Sequence, residues 1–160
     1  MKSHRTSGFT LVEFILVMVV LSVLSMLALP VIKAGFNGYF VQKSLREANW
    51  QGRLALERMT REIASFPSSQ SITLATSSAL SFTDNTNTSV RYELVGTRLE
   101  RNDLSLAEGV QSIHFFYGDS NGESTTVIEN IRYVGILFTV IENNMRFTFD
   151  RVVALRNNVS

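Results

Sequence analysis

The stretch Gly8-Phe9-Thr10-Leu11-Val12-Glu13 stands directly before a long apolar run. The 19 residues from 14 to 32 carry no charge, and only Ser22, Ser25 and Pro30 interrupt them. An apolar helix of about 20 residues, rising about 1.5 Å per residue, is long enough to cross the hydrocarbon core of a bilayer. We therefore predict one membrane-spanning helix near the amino terminus.

The polar leader before this run, residues 1–8, carries Lys2 and Arg5. Basic residues next to a membrane span favour the cytoplasmic side, so the amino terminus is predicted to lie in the cytoplasm. The chain then divides into four predicted segments. They are a leader at residues 1–8, a membrane-embedded helix at 9–32, an amphipathic helix half at 33–66 and a β domain beyond the membrane at 67–160.

Glu13 is the only acidic residue at the mouth of the apolar run. An ionised side chain costs about 3 kcal/mol at the centre of a bilayer, so such a residue suggests a function and a partner. Two interpretations stay open from the residue alone. Glu13 is either solvated among the lipid headgroups or paired with a cation.

The short basic leader, Gly8, the aromatic Phe9, Glu13 and the apolar helix together resemble the prepilin signature. Type IV pilins, type II secretion pseudopilins and competence pseudopilins share this signature. The resemblance implies that a prepilin peptidase cleaves between Gly8 and Phe9 and methylates the new terminal amine. It also implies that Glu13 pairs with the methylated Phe9 of a neighbouring subunit and sets the axial register of a filament.

The apolar run differs from the signals of secreted proteins and of lipoproteins. A secretory signal peptide has an apolar core of roughly 7 to 15 residues and an A-x-A-like cleavage site, whereas this run is longer and ends in Ala28-Leu29-Pro30. A lipoprotein signal needs a cysteine to acylate, and the chain has none. A plain membrane anchor unrelated to pilins remains an alternative.

The composition restricts the remaining choices. Without the leader the chain has 13 basic and 14 acidic side chains, so no nucleic-acid partner is expected. Since there is no cysteine, the exported domain is predicted to depend on its core rather than on disulfides. Many major type IV pilins close their carboxy-terminal region with a disulfide, so this departure favours a minor pilin or pseudopilin.

Beyond residue 32 the helix is predicted to continue. Apolar or small residues recur every three or four residues up to residue 66, and Pro67 marks the end. The helix over residues 9–65 would be about 85 Å long, so about half of it extends past the bilayer. Pro30 removes one backbone hydrogen bond and is predicted to bend the helix, as the resemblance to pilins also implies.

The second half of the chain reads as short strands with alternating polarity. Residues 90–94 and 98–101 form a hairpin around Gly96-Thr97, and residues 131–141 and 145–155 form another through Glu142-Asn143-Asn144. Further strands are predicted at residues 72–74, 80–82 and 110–117. The predicted fold class is α+β, with a long N-terminal helix packed on an antiparallel β-sheet.

Residues outside the leader show looser similarities. A looser resemblance to J-type minor pseudopilins and related minor pilins is found at residues 54–63, 113–119 and 155–157.

Little in the sequence suggests catalysis. His114 is the only histidine after the leader, and no cysteine exists, so we predict neither an enzyme nor a cofactor. Asp119 and Asn121 are a weak candidate for a calcium site. The glycine of this loop, Gly122, is its fourth residue, whereas an EF-hand loop has glycine at the sixth position. We prefer to interpret this loop as a polar turn. The arginines of the strands alternate with acids, which is typical of a solvated sheet face.

The sequence hypothesis is a non-catalytic minor pilin or pseudopilin, stored in the bacterial inner membrane with its carboxy-terminal domain in the periplasm. It assembles through its apolar helix into a type II secretion pseudopilus or a type IV pilus, in initiation or near the tip. Glu13 argues against the extreme-tip pseudopilin, which typically lacks that glutamate. Expected partners are the prepilin peptidase, other pilin subunits, an inner-membrane assembly platform and membrane lipid. The alternative from another class is a monomeric, membrane-anchored periplasmic binding module.

Overall fold

A computed structural model of the protein describes residues 10–65 and 68–155. The described chain forms one long helix, two 3-10 turns and eight strands, and it divides into a unit Met1–Gln42 and a unit Lys43–Ser160. The elements are α1 (Leu11–Ser65), a turn at Ser69–Ser71, β1 (Ile72–Ala75), β2 (Ala79–Thr83), β3 (Ser89–Val95), β4 (Arg98–Arg101), β5 (Leu104–Ala107), β6 (Val110–Gly118), a turn at Ile128–Asn130, β7 (Tyr133–Glu142) and β8 (Met145–Ala154).

The helix α1 confirms the predicted continuation past the apolar run to residue 65. Pro30 lies inside α1 and does not end it. Phe9, where the predicted helix begins, and Pro67, which is predicted to follow its end, lie outside the described residues. The part of α1 in the first unit is apolar, and its part in the second unit packs against the strands.

The strands form two antiparallel sheets, whereas the sequence pattern predicts a single one. The first sheet has the order β1-β2-β3-β4-β5, and the second has the order β6-β7-β8. Each strand therefore pairs with its neighbours in sequence. The fold class is α+β, as predicted, with a long N-terminal helix packed on antiparallel sheets.

The hairpin turns use residues that tolerate a left-handed backbone. Asn143 and Asn144 have φ angles of 49° and 62°, and a two-residue turn with positive φ at both central residues is of type I′. Gly96 has a φ angle of 64° at the first position of the β3–β4 turn, where a type II′ turn requires a positive φ. These turns confirm the two hairpins that the sequence predicts.

The core of the second unit lies between α1 and the inner faces of the sheets. One stripe of α1, made of Gly52, Ala55, Met59 and Ile63, is buried, as its spacing of three to four residues predicts. Gly52 makes room for the ring of Phe149, which a Cβ at this residue would overlap.

A carboxylate on α1 holds the helix to the first sheet. Glu62 Oε2 accepts hydrogen bonds from the Tyr92 hydroxyl at 2.5 Å and from Arg101 Nε at 2.7 Å. Glu62 Oε1 accepts a further bond from Arg58 Nε at 3.0 Å. Tyr92 lies on β3 and Arg101 on β4, so one side chain joins three elements.

The surroundings of Glu62 determine how it titrates. Partial burial opposes its charge, but the hydrogen bonds from Tyr92, Arg101 and Arg58 outweigh burial and hold its pKa below the ordinary 4.5. Burial and the hydrogen bond to Glu62 raise the pKa of the Tyr92 hydroxyl well above its usual range. The ionised carboxylate is therefore the form that stabilises the fold.

We predict that Glu62→Gln lowers the free energy of unfolding at pH 7 by about 1–2 kcal/mol. This is the lower part of the range for hydrogen bonds to charged groups, because the carboxylate is partly exposed and screened. Folding lowers the pKa, so the stabilisation is complete above the ordinary value of 4.5 and is lost as the pH falls through the lowered value. Urea unfolding of the full chain in detergent micelles at several pH values measures the difference.

The matched control is Glu57→Gln, because Glu57 pairs with Arg61 at 3.4 Å while both side chains are largely exposed. It is expected to change stability by less than about 0.5 kcal/mol. A Glu62→Gln variant no less stable than Glu57→Gln at pH 7 would contradict this account of the cluster.

A glycine in the centre of the second sheet supports an aromatic ring. The ring of Phe116 on β6 lies over Gly135 on β7, and a Cβ at Gly135 would overlap it. We predict that Gly135→Ala lowers the free energy of unfolding by about 1–3 kcal/mol, as overpacking does. Gly118→Ala is the control, since its Cβ would meet Tyr133 Cβ at 3.6 Å, an ordinary contact. Equal unfolding midpoints for the two variants would show that Phe116 moves aside freely.

Candidate functional site

The predicted cleavage residues, Gly8 and Phe9, lie outside the described residues. The described residues begin at Thr10, which caps the amino end of α1. Thr10 Oγ1 accepts a hydrogen bond from the Glu13 backbone N–H at 3.3 Å, and the Thr10 carbonyl accepts one from the Phe14 N–H at 3.1 Å. The helix therefore begins two residues after the predicted cleaved bond.

This local role of Thr10 and Glu13 is absent from the sequence prediction. The spacing Thr-x-x-Glu before an apolar run is the capping-box pattern, and it could have located the start of α1. Glu13 also places an acidic side chain in the first helical turn, where the positive end of the helix dipole favours it.

The side chain of Glu13 is exposed, and no described residue forms an ion pair with it. Its carboxylate is thus available to a cation from outside the described part of this chain. This arrangement is compatible with either interpretation that the sequence leaves open.

The helix surface after Glu13 is apolar on every side. Large hydrophobic side chains from residue 11 to residue 41 are exposed, with Leu11, Met26 and Val31 more than 70% exposed. Among the described residues, α1 is the one helix long and apolar enough to cross a membrane. A helix that is hydrophobic all round requires an apolar environment.

Two serines inside the apolar run satisfy their own hydroxyl groups. Ser22 Oγ donates to the Met18 carbonyl at 2.6 Å, and Ser25 Oγ donates to the Leu21 carbonyl at 2.8 Å. Such bonds to the preceding turn leave no unpaired hydroxyl donor. The serines are therefore compatible with an apolar environment around the helix.

The loop after β6 is organised by hydrogen bonds of its own. Asp119 Oδ1 accepts the backbone N–H groups of Asn121 at 2.8 Å and Glu123 at 3.0 Å. Gly122 supplies the positive φ, 81°, that the turn requires. Within residues 10–65 and 68–155 no group of three acidic, histidine or cysteine side chains is arranged to hold a metal. These hydrogen bonds form a turn, and its interpretation as a polar turn without calcium stays a prediction.

His114, Arg91 and Arg98 are exposed, as a solvated sheet face predicts, whereas Arg101 is partly buried against Glu62. His114 is exposed on the outer face of β6. Arg91 pairs with Glu93 and Arg98 pairs with Glu100 along their own strands.

The family described as a prokaryotic N-terminal methylation motif matches residues 3–29. The matched residues include Gly8, Phe9 and Glu13. No curated protein and no solved structure matches the chain significantly. Proteins with this motif are structural subunits and generally non-catalytic. The long apolar helix also fits a single-pass membrane anchor. The methylation motif at residues 3–29 and the long apolar helix fit a type IV pilin-like protein.

Proposed function

We propose that the chain is a minor pilin or pseudopilin that is cleaved after Gly8, methylated at Phe9 and assembled into a filament. The filament is a type II secretion pseudopilus or a type IV pilus, and the subunit acts in initiation or near the tip. The observation that carries the proposal is that the methylation motif, at residues 3–29, includes the start of a helix whose apolar surface is exposed on every side.

Before assembly this surface is covered by lipid. The leader with Lys2 and Arg5 stays in the cytoplasm, α1 crosses the inner membrane and the β domain lies in the periplasm. The apolar run is helical, so its backbone groups bond to one another except where Pro30 lacks an N–H, and its serines bond to their own helix.

In the filament, the helices of neighbouring subunits replace the lipid. Moving an apolar helix from lipid to apolar neighbours changes its solvation little, so packing and polar contacts determine the arrangement. A charged Glu13 buried without a partner would be costly. The methylated amine of Phe9 on a neighbour supplies the opposite charge, and this pair sets the axial register.

The absence of cysteine from the whole sequence supports a minor rather than a major subunit. Its partners are then the prepilin peptidase, other pilin or pseudopilin subunits that contact α1, and an inner-membrane assembly platform. The methylation motif favours this role over that of a monomeric anchored binding module, in which Glu13 would need no partner.

One prediction of this proposal concerns cleavage and methylation by the prepilin peptidase. In cells that contain a prepilin peptidase, the mature chain is expected to begin at Phe9 and to carry one added methyl group. Gly8→Val is expected to retain residues 1–8, since a branched side chain replaces the small residue at the cleaved bond. Intact mass and amino-terminal sequencing of the membrane fraction measure both. A wild-type chain that still begins at Met1 would contradict cleavage after Gly8, and only the alternative of a membrane-anchored domain would remain.

Another prediction of this proposal concerns the role of Glu13 in assembly. Glu13→Ala is expected to leave membrane insertion and cleavage intact and to reduce incorporation into filaments by about tenfold or more, because one charge of the pair would remain buried alone. Incorporation is measured by quantifying the subunit in sheared filaments.

The matched control is Glu47→Ala, which removes an exposed glutamate from the same helix outside the apolar run. It is expected to assemble normally. If Glu13→Ala assembles as well as Glu47→Ala, the assembly role of Glu13 is wrong. Processing at Phe9 is measured separately, so failure of one prediction does not decide the other.

A further inference from the structure

An open groove in the second unit runs between α1 and the free edge of β8. Its volume is about 920 Å³. One wall is a stripe of α1 that includes Asn49, Arg53, Leu56 and Thr60, and the other wall is the segment of β8 at residues 146–151. The spacing of the helix residues places them on one face, turned toward the strand.

The strand β8 has an unpaired edge along this groove. The order of the second sheet is β6-β7-β8, so β8 is paired only with β7. The Asn143-Asn144 turn is a two-residue hairpin, and its register pairs Glu142 with Met145 and Thr139 with Thr148. Glu142 and Met145 close the turn as a hydrogen-bonded pair, and non-hydrogen-bonded and hydrogen-bonded pairs then alternate along the two strands. The residues of β8 in the non-hydrogen-bonded pairs direct their backbone N–H and C=O groups away from β7; they are Arg146, Thr148, Asp150 and Val152.

An aromatic side chain of the groove suits an occupant. Trp50 lines the groove with 58% of its surface exposed, and tryptophan is enriched among residues that anchor binding partners.

The charged side chains that line the groove indicate which kind of partner it binds. Arg53, Arg146 and Arg151 line it and form no ion pair within the described chain, whereas Asp150 is the one lining carboxylate left unpaired there. The other lining carboxylate, Glu57, pairs with Arg61. The groove therefore has an excess of positive charge. The β8 edge of a second copy would bring the same excess, and like charges facing each other oppose pairing.

We infer that the groove binds an extended acidic segment of another protein, which adds as a strand to the edge of β8. The main-chain groups of Arg146, Thr148 and Asp150 pair with the segment, and its carboxylates face the unpaired arginines. Strand addition to a free sheet edge obtains affinity from main-chain bonds and specificity from alternate side chains. The inference concerns the folded domain and does not depend on cleavage at Gly8 or on the role of Glu13.

The test selects a displayed library of random ten-residue peptides on the full-length protein in detergent micelles. The enriched peptides are expected to carry Asp or Glu at alternate positions and to bind more weakly as salt rises. Failure to enrich any peptide, or enrichment without an excess of acidic residues, would overturn the inference.

Strand pairing is tested with Thr148→Pro, which removes an outward backbone N–H and leaves the bonds between β7 and β8 in place. Thr148→Val is the matched control, because it changes the side chain and keeps the amide. The enriched peptides are expected to bind Thr148→Pro about tenfold more weakly than Thr148→Val. Equal binding by the two variants, with equal unfolding midpoints, would overturn strand addition.

If Thr148→Pro fails to fold, a second measurement on the wild-type protein tests strand addition. Methyl groups are placed on successive backbone nitrogens of an enriched peptide, and its affinity for the wild-type protein is measured at each position. Loss of affinity at every second position is expected, because only alternate amides face β8. Affinities without this period of two would contradict the inference.

The charge requirement is tested with the double variant Arg53→Gln, Arg146→Gln. It is expected to bind the enriched peptides about fivefold more weakly at low salt, since exposed ion pairs contribute modestly and are screened. Arg98→Gln, on the first sheet and paired with Glu100, is the control and is expected to bind normally. Equal affinities for the two variants would show that the arginines do not select an acidic segment.

Discussion

A helix segment that is apolar on every side must be surrounded by apolar material, and this constraint applies to the first part of α1. The second part is amphipathic and has only one stripe to bury. In the unit Met1–Gln42 no described part of the chain covers α1, so lipid or other helices must do so. In the unit Lys43–Ser160 its buried stripe is covered by the two sheets. The methylation motif, at residues 3–29, overlaps the uncovered part of α1.

Features that repeat along the chain could be predicted from the sequence. The absence of charge over residues 14–32 indicates the span, and the spacing of three to four residues indicates the buried stripe of α1. Alternation of apolar and polar residues indicates strands such as β3 and β8. Gly8, Phe9 and Glu13 form a local motif whose residues lie close together in the chain, so no tertiary information is needed to recognise it. The predicted roles of these three residues in processing and assembly stay proposals.

Features that depend on distant residues could not be predicted in this way. The strand β5 is four residues long and follows Asn102 and Asp103, whose left-handed backbone makes a tight turn that their sequence only weakly indicates. Glu62 and Arg101 are 39 residues apart in the chain, and their contact depends on how α1 lies on β3 and β4. The groove beside β8 exists because two elements distant in sequence run side by side.

The sequential order of the strands also has a kinetic consequence. Every strand pairs with the strand before or after it, so each pairing closes only a short loop. Chains dominated by such local contacts fold faster than those that must first join distant segments. If the strands emerge on the far side of the membrane in chain order, each can pair as soon as it arrives. The time during which unpaired edges are exposed to other newly exported chains is then short.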